Sequence, residues 1–139
     1  MTYYAKSPRQ DGTQETVREH LQAVKAIAQT YGRSFDAEIA AGLCGLFHDF
    51  GKYSSAFQKV LQGTEEGVDH AVSGAAFLYH YQKDYQKKAL RPIIEAVAAH
   101  HSHLISREDL AGVLEATLRT EGPVTTLSGK QAALCGGKD

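Results

Sequence analysis

With 139 residues, 42 % of them hydrophobic and 22 % charged, the chain is long enough for one domain with a real core and ordinary for a globular protein. Its net charge of −1, histidines neutral, excludes a globally basic nucleic-acid binder and leaves only a local patch for that role. Cys44 and Cys135 lie far apart without a CxxC pair, which speaks against a disulfide framework or a thiolate metal site. The first eleven residues are polar, and no apolar run approaches the ~18 residues of a membrane span, so no membrane association and a cytoplasmic location are expected.

Residues 1–13 contain Pro8 and Gly12, lack periodicity, and are expected to form an N-terminal arm leading into a domain over 14–121. Val17, Leu21, Val24, Ala28 and Tyr31 make a helical stripe over 14–31, capped by Thr13 or Thr16 and ended by Gly32. His20 falls at the edge of that apolar face. Ser34, Phe35 and Asp36 offer a cap for a second helix running to about residue 50, apolar nearly all round and rich in small residues, as suits a central helix. His48 and Asp49 occupy its last turn, and Gly51 is placed to terminate it.

Ser54 or Ser55 caps a short helix over 56–62. Asp69 is a good N-cap for the next helix, which carries His70, a run of small residues, and then a basic stretch, Lys83, Lys87, Lys88 and Arg91, interleaved with Tyr81 and Tyr85. Pro92 opens a helix whose stripe of Ile93, Ile94, Val97 and Ala98 leads to His100 and His101. Ser106 with Asp109 resembles a capping box before a last amphipathic helix through Leu110, Val113, Leu114 and Leu118. Residues 122–139 lose the pattern and read as a loose C-terminal tail. Strict alternation occurs nowhere, so the expected fold is all-α, a compact bundle of about five or six helices.

Seven histidines are present, and five of them stand where helices begin, end or face the core. Neutral imidazole is a common ligand for transition metals, and a carboxylate completes such sites. An aspartate between two imidazole sets can give one oxygen to each of two ions. Two ions ~3.5–4 Å apart activate water and clamp the oxygens of an in-line phosphoryl displacement, and Lys52 would offset charge developing on the phosphate. Blander readings exist for each part. A lone histidine such as His20 is more often a hydrogen-bonded core residue, His48-Asp49 suits a helix end, and Asp69 suits a cap. Joined, His20, His48-Asp49, His70 and His100-His101 point to a metal site, with Asp49 and Lys52 as catalytic candidates. His80 and His103 read as surface residues. The basic stretch could contact a nucleic-acid backbone and stack bases, although a solvated helix end explains it as well.

The stretches Glu19-His20-Leu21, residues 45–58 around His48-Asp49-Phe50-Gly51-Lys52, Asp69-His70-Ala71-Val72-Ser73-Gly74-Ala75 and Ala99-His100-His101-Ser102-His103-Leu104 resemble the HD superfamily of metal-dependent phosphohydrolases. Within it, residues 53–58 and the double-histidine segment are similar to the HD nuclease domain of the CRISPR-associated nuclease–helicase. The resemblance implies an HD bundle that cuts single-stranded DNA with one or two divalent transition metal ions (Fe, Mn, Co, Ni or Zn). It implies His20, His48 and Asp49 around one ion, and Asp49, His70, His100 and His101 around the second. It also implies a separate helicase subunit and an RNA-guided CRISPR surveillance complex as partners.

The chain departs from that family in two respects. The family has a further aspartate ligand well downstream of the double histidine, whereas here only Asp109, which is too close, and Asp139 follow His101; a domain shortened at its C-terminus is one expectation. Second, no helicase is read in these residues: Gly129-Lys130-Gln131 looks like the end of a phosphate-binding loop, but it lacks the leading glycine and the Ser/Thr, and is read as chance. An HD phosphohydrolase acting on nucleotides or cyclic nucleotides, and an inactive HD domain serving as an interaction module, are the alternatives.

Overall fold

The computed structural model describes residues 1–67 and 69–120, so the expected tail over 122–139 lies outside the described residues. Six α-helices are present among the described residues: α1 Val17–Gly32, α2 Glu38–Phe47, α3 Ser55–Leu61, α4 Ala71–Tyr85, α5 Arg91–Ala99 and α6 Arg107–Thr120. Short 3₁₀ turns, Arg33–Phe35, Phe50–Tyr53 and Lys88–Leu90, link them. The described residues include no strand, only an isolated antiparallel bridge between Tyr4 and Thr16. The all-α expectation holds.

Helix α1 starts where its capping box puts it. The Thr16 side chain accepts from the Glu19 amide, and the Glu19 carboxylate accepts from the Thr16 amide. Val17 and Leu21 are completely buried, but Tyr31, expected on the same stripe, is 72 % exposed at the far end. Helix α2 lies close against α1 because Gly45 has no Cβ; one built there would come within 2.9 Å of the Lys25 Cα.

Helix α2 is shorter than expected. Asp36 does not cap it: its backbone is left-handed (φ 53°) and closes the preceding 3₁₀ turn, while Ala37 takes the N-cap position with no side-chain bond. The helix ends at Phe47, so His48 and Asp49 lie just beyond it. Helix α2 is also not wholly enclosed, since Ile39 is 79 % exposed. The more central element is α4, whose Ala71, Ser73, Gly74, Ala75, Ala76 and Leu78 are buried and which packs on α5, α6 and the Phe50–Tyr53 turn.

Two glycines set this packing. Gly74 lets α4 cross the end of α2, because a Cβ there would collide with the Phe47 carbonyl. Gly51 is not the helix terminator its position suggests. It lies inside the 3₁₀ turn at ordinary φ, and its missing Cβ makes room for the His70 backbone. Phe47, Phe50 and Phe77 bring their rings together at centroid separations of 5.2–5.5 Å. Burial of Phe50, at 0 % exposure, contributes roughly 1.5–3 kcal/mol and anchors the segment that carries His48 and Asp49.

The N-terminal arm is docked on the domain. Ala5 is buried in the core, its amide donates to the Glu15 carbonyl, and the Val17 amide donates to the Tyr3 carbonyl. Gln58, itself buried, accepts from the Tyr4 amide and donates to the Tyr4 and Lys52 carbonyls.

Candidate metal centre

Four chain segments converge on Asp49, whose side chain is 7 % exposed. Helix α1 brings His20, the end of α2 brings His48, the residue before α4 brings His70, and the end of α5 brings His100 and His101. Asp69 is not the N-cap of α4; His70 is, and the Asp69 carboxylate accepts from the Ala71 amide one residue further in.

The two oxygens of Asp49 face different imidazoles. Oδ2 is 3.1 Å from His20 Nε2 and 3.3 Å from His48 Nε2. Oδ1 is 3.4 Å from both His70 Nε2 and His100 Nε2, and 3.9 Å from His101 Nε2. His70 Nε2 and His101 Nε2 lie 3.2 Å apart. His20, His48 and Asp49 form one group with ligand atoms all within 4.8 Å of one another, and Asp49, His70 and His101 form a second.

The ring orientations bear on what such a cluster can hold. His48 Nδ1–H donates to the Gly45 carbonyl at 2.8 Å, and His100 Nδ1–H donates to the Val97 carbonyl at 2.7 Å. A carbonyl has no proton to give, so Nδ1 carries the hydrogen in both rings and Nε2 of the neutral ring offers an electron pair. Those electron pairs face the carboxylate. Asp49 Oδ1 and His100 Nε2 are both buried without an aligned hydrogen-bond partner. Such an arrangement is closed by a proton on the imidazole or by a cation between the groups, so the donor set fits a divalent ion.

Charge follows the same pattern. Burial opposes ionisation of Asp49, but His100, His48, His70 and Lys52 outweigh it and hold its carboxyl far below the usual carboxylate range. Burial and the Lys52 charge lower His20, and burial with the His100 and His70 charges lowers His101. His100 moves the other way: burial opposes its charge, but the Asp49 carboxylate and the Val97 carbonyl raise it.

The Lys52 ammonium lies 2.8 Å from Asp49 Oδ2 and over the Phe57 ring, so it balances the central carboxylate instead of standing free. Asp109 is tied to Ser106 at the start of α6 and belongs to neither group, while Asp139 lies outside the described residues. Glu15, which no local pattern singles out, lies behind His20 with Oε2 3.6 Å from Nδ1.

The basic stretch is elsewhere. Helix α4 starts at the cluster and runs 15 residues away from it, so its far end is about 20 Å off. There Lys83 pairs with Glu115 and Arg91 with Glu95, while Lys87 and Lys88 are exposed without an ion pair among the described residues. His80 pairs with Asp84, and His103 is exposed.

A family model described as HD domain matches residues 17–130. Comparison with curated proteins and with solved structures finds no match.

Proposed function

The chain belongs to the HD domain family, a group of metal-dependent hydrolases, and from that premise we propose that it is a nuclease that hydrolyses single-stranded DNA in CRISPR-mediated defence. The observation that carries the phosphodiesterase reading is the division of the two Asp49 oxygens between separate imidazole sets. His20, His48 and Asp49 would hold one divalent ion, and Asp49, His70, His100 and His101 a second, with Fe, Mn, Co, Ni and Zn all suited to imidazole-rich sites. Bound there, the ions would supply Lewis-acid activation of water and neutralisation of phosphate charge.

The protein's own groups have distinct tasks. The Gly45 and Val97 carbonyls hold His48 and His100 in the tautomer that leaves Nε2 open. Asp49 stays ionised and supplies an oxygen to each set. Lys52 holds Oδ2 in place and adds positive charge beside the reacting phosphate. Lys87 and Lys88 would contact a strand long enough to extend about 20 Å from the centre. The narrower reading rests on the resemblance of residues 53–58 and 99–104 to the CRISPR branch. With it come a reducing cytoplasm, a separate helicase that supplies the strand, and an RNA-guided surveillance complex that opens the target.

The test is an assay of purified protein with Mn²⁺, Co²⁺ or Ni²⁺ on single-stranded DNA and on a panel of nucleotides and cyclic nucleotides. Cleavage of the DNA supports the proposal. Turnover of nucleotides with DNA left intact replaces it with a small-molecule phosphohydrolase. At most one weakly held ion, with no turnover of any substrate in any metal, replaces it with an interaction module.

A further inference from the structure

His20 stands between two carboxylates, one at each ring nitrogen. Nε2 faces Asp49 Oδ2 at 3.1 Å, and Nδ1 faces Glu15 Oε2 at 3.6 Å. Glu15 Oε2 is buried and has no aligned hydrogen-bond partner; Lys6 Nζ, 3.1 Å away, is its nearest cation. Glu15 is not in the group formed by His20, His48 and Asp49, so it sits behind the imidazole and outside the ligand atoms.

Its placement depends on the arm. Glu15 precedes the N-cap Thr16 and lies outside α1. Its carbonyl accepts from the Ala5 amide, the neighbouring Val17 amide donates to the Tyr3 carbonyl, and Gln58 clamps Tyr4 from both sides. His48 and His100 each have Nδ1 secured by a backbone carbonyl within their own turn. His20 lies mid-turn in α1, where the carbonyls are engaged by the helix, and the only acceptor facing its Nδ1 among the described residues is this carboxylate.

We propose that Glu15 is the positioning residue of His20. With a cation at Nε2 it becomes the acceptor for the Nδ1–H, which selects the tautomer that presents Nε2 to the cation and strengthens the ring as an electron donor. The docked arm is thereby part of the metal centre. This inference rests on the metal reading above.

The test titrates Co²⁺ into metal-free wild type, Glu15→Ala and Glu15→Gln of the full chain, followed by visible absorption and equilibrium dialysis. Glu15→Ala should weaken one bound equivalent about 10–100-fold and alter its visible band, leaving the other equivalent unchanged. Glu15→Gln keeps an acceptor oxygen and should lose less. In the Co²⁺-loaded wild type, proton NMR should show a hyperfine-shifted, slowly exchanging His20 Nδ1–H that exchanges faster in Glu15→Gln. That signal decides the matter even if Glu15→Ala does not fold. Wild type that takes up no Co²⁺ removes the metal reading and this inference with it. Wild type that binds Co²⁺, with unchanged affinity in Glu15→Ala or an unchanged Nδ1–H signal in Glu15→Gln, overturns the inference alone.

Discussion

His100 turns Nε2 toward Asp49 Oδ1 across 3.4 Å while its Nδ1–H is committed to the Val97 carbonyl. One imidazole is thus locked in place with its free electron pair aimed at a buried carboxylate. Asp49 Oδ1 and His100 Nε2 are closed by a proton or a cation between them, and the site's behaviour on substitution follows from that.

Asp49→Ala removes the oxygens shared between both imidazole sets. Metal content should drop for both ions, and hydrolysis should fall to the uncatalysed background. Elemental analysis alongside the rate checks this. A variant with full metal and full rate would show that the central pair is wrongly assigned.

Acid should empty the site. Metal binding needs neutral imidazoles, and a proton competes with the ion at each. Burial lowers His20 and His101, so these rings are neutral at lower pH, whereas Asp49 and the Val97 carbonyl raise His100, which keeps its proton above the usual imidazole value of about 6.5. Affinity should therefore climb between about pH 6 and 8, with more protons released per ion at pH 6 than at pH 8. Calorimetry in two buffers of different ionisation enthalpy measures that release. Loading that is flat across this range would contradict the competition between proton and ion.

Gly51→Ala tests backbone packing at the centre. The new methyl meets the His70 backbone, so the fold should lose about 1–3 kcal/mol or more, and the ion held by His70 should be released before the one held by His20 and His48. Gly112→Ala is the contrast: nothing lies within 4 Å in mid-α6, and stability should rise by about 0.5–1 kcal/mol. Urea unfolding of both variants provides the comparison, and equal effects would refute it.

Gln58→Ala should free the arm. It leaves the Tyr4 amide and the Tyr4 and Lys52 carbonyls without their partner, at about 1–3 kcal/mol for each buried group that water cannot reach. Amide exchange at Tyr4 and Ala5 should accelerate well beyond that in α4. Protection that is unchanged at those two amides would show that the clamp is dispensable.

Lys87→Glu with Lys88→Glu should weaken binding to single-stranded DNA and reduce its salt slope, by roughly 0.7 for each phosphate no longer neutralised. Metal content should be unaffected, because the pair sits about 20 Å from Asp49. Lys83→Ala should matter less, since Glu115 already neutralises that ammonium. Fluorescence anisotropy over a salt series separates the three, and identical slopes would remove the basic stretch from the interface.

Helix existence was legible in the chain wherever apolar residues kept a 3.6-residue period, and the start of α1 was legible in Thr16 and Glu19. The misreadings came from residues with two local uses. Asp36 has the chemistry of a cap but also tolerates the left-handed backbone, and it took the second role. Gly51 looks like a stop signal, yet it serves a close approach from a segment 19 positions away. Tyr31 and Ile39 keep the helical period, but no neighbour among the described residues covers them.

Periodicity and residue chemistry are local properties, so the sequence by itself determined the helical class, the available ligand types and the central place of His48 and Asp49. Distances between residues 29 to 31 positions apart, such as His20 to Asp49 and His70 to His101, depend on how helices pack. Only the tertiary structure decided which carboxylate oxygen faces which ring, that Glu15 backs His20, and that the basic stretch lies at the opposite end of α4. The reason is steric: close approaches at Gly45, Gly51 and Gly74 set where each helix end arrives, and no short stretch of chain encodes them.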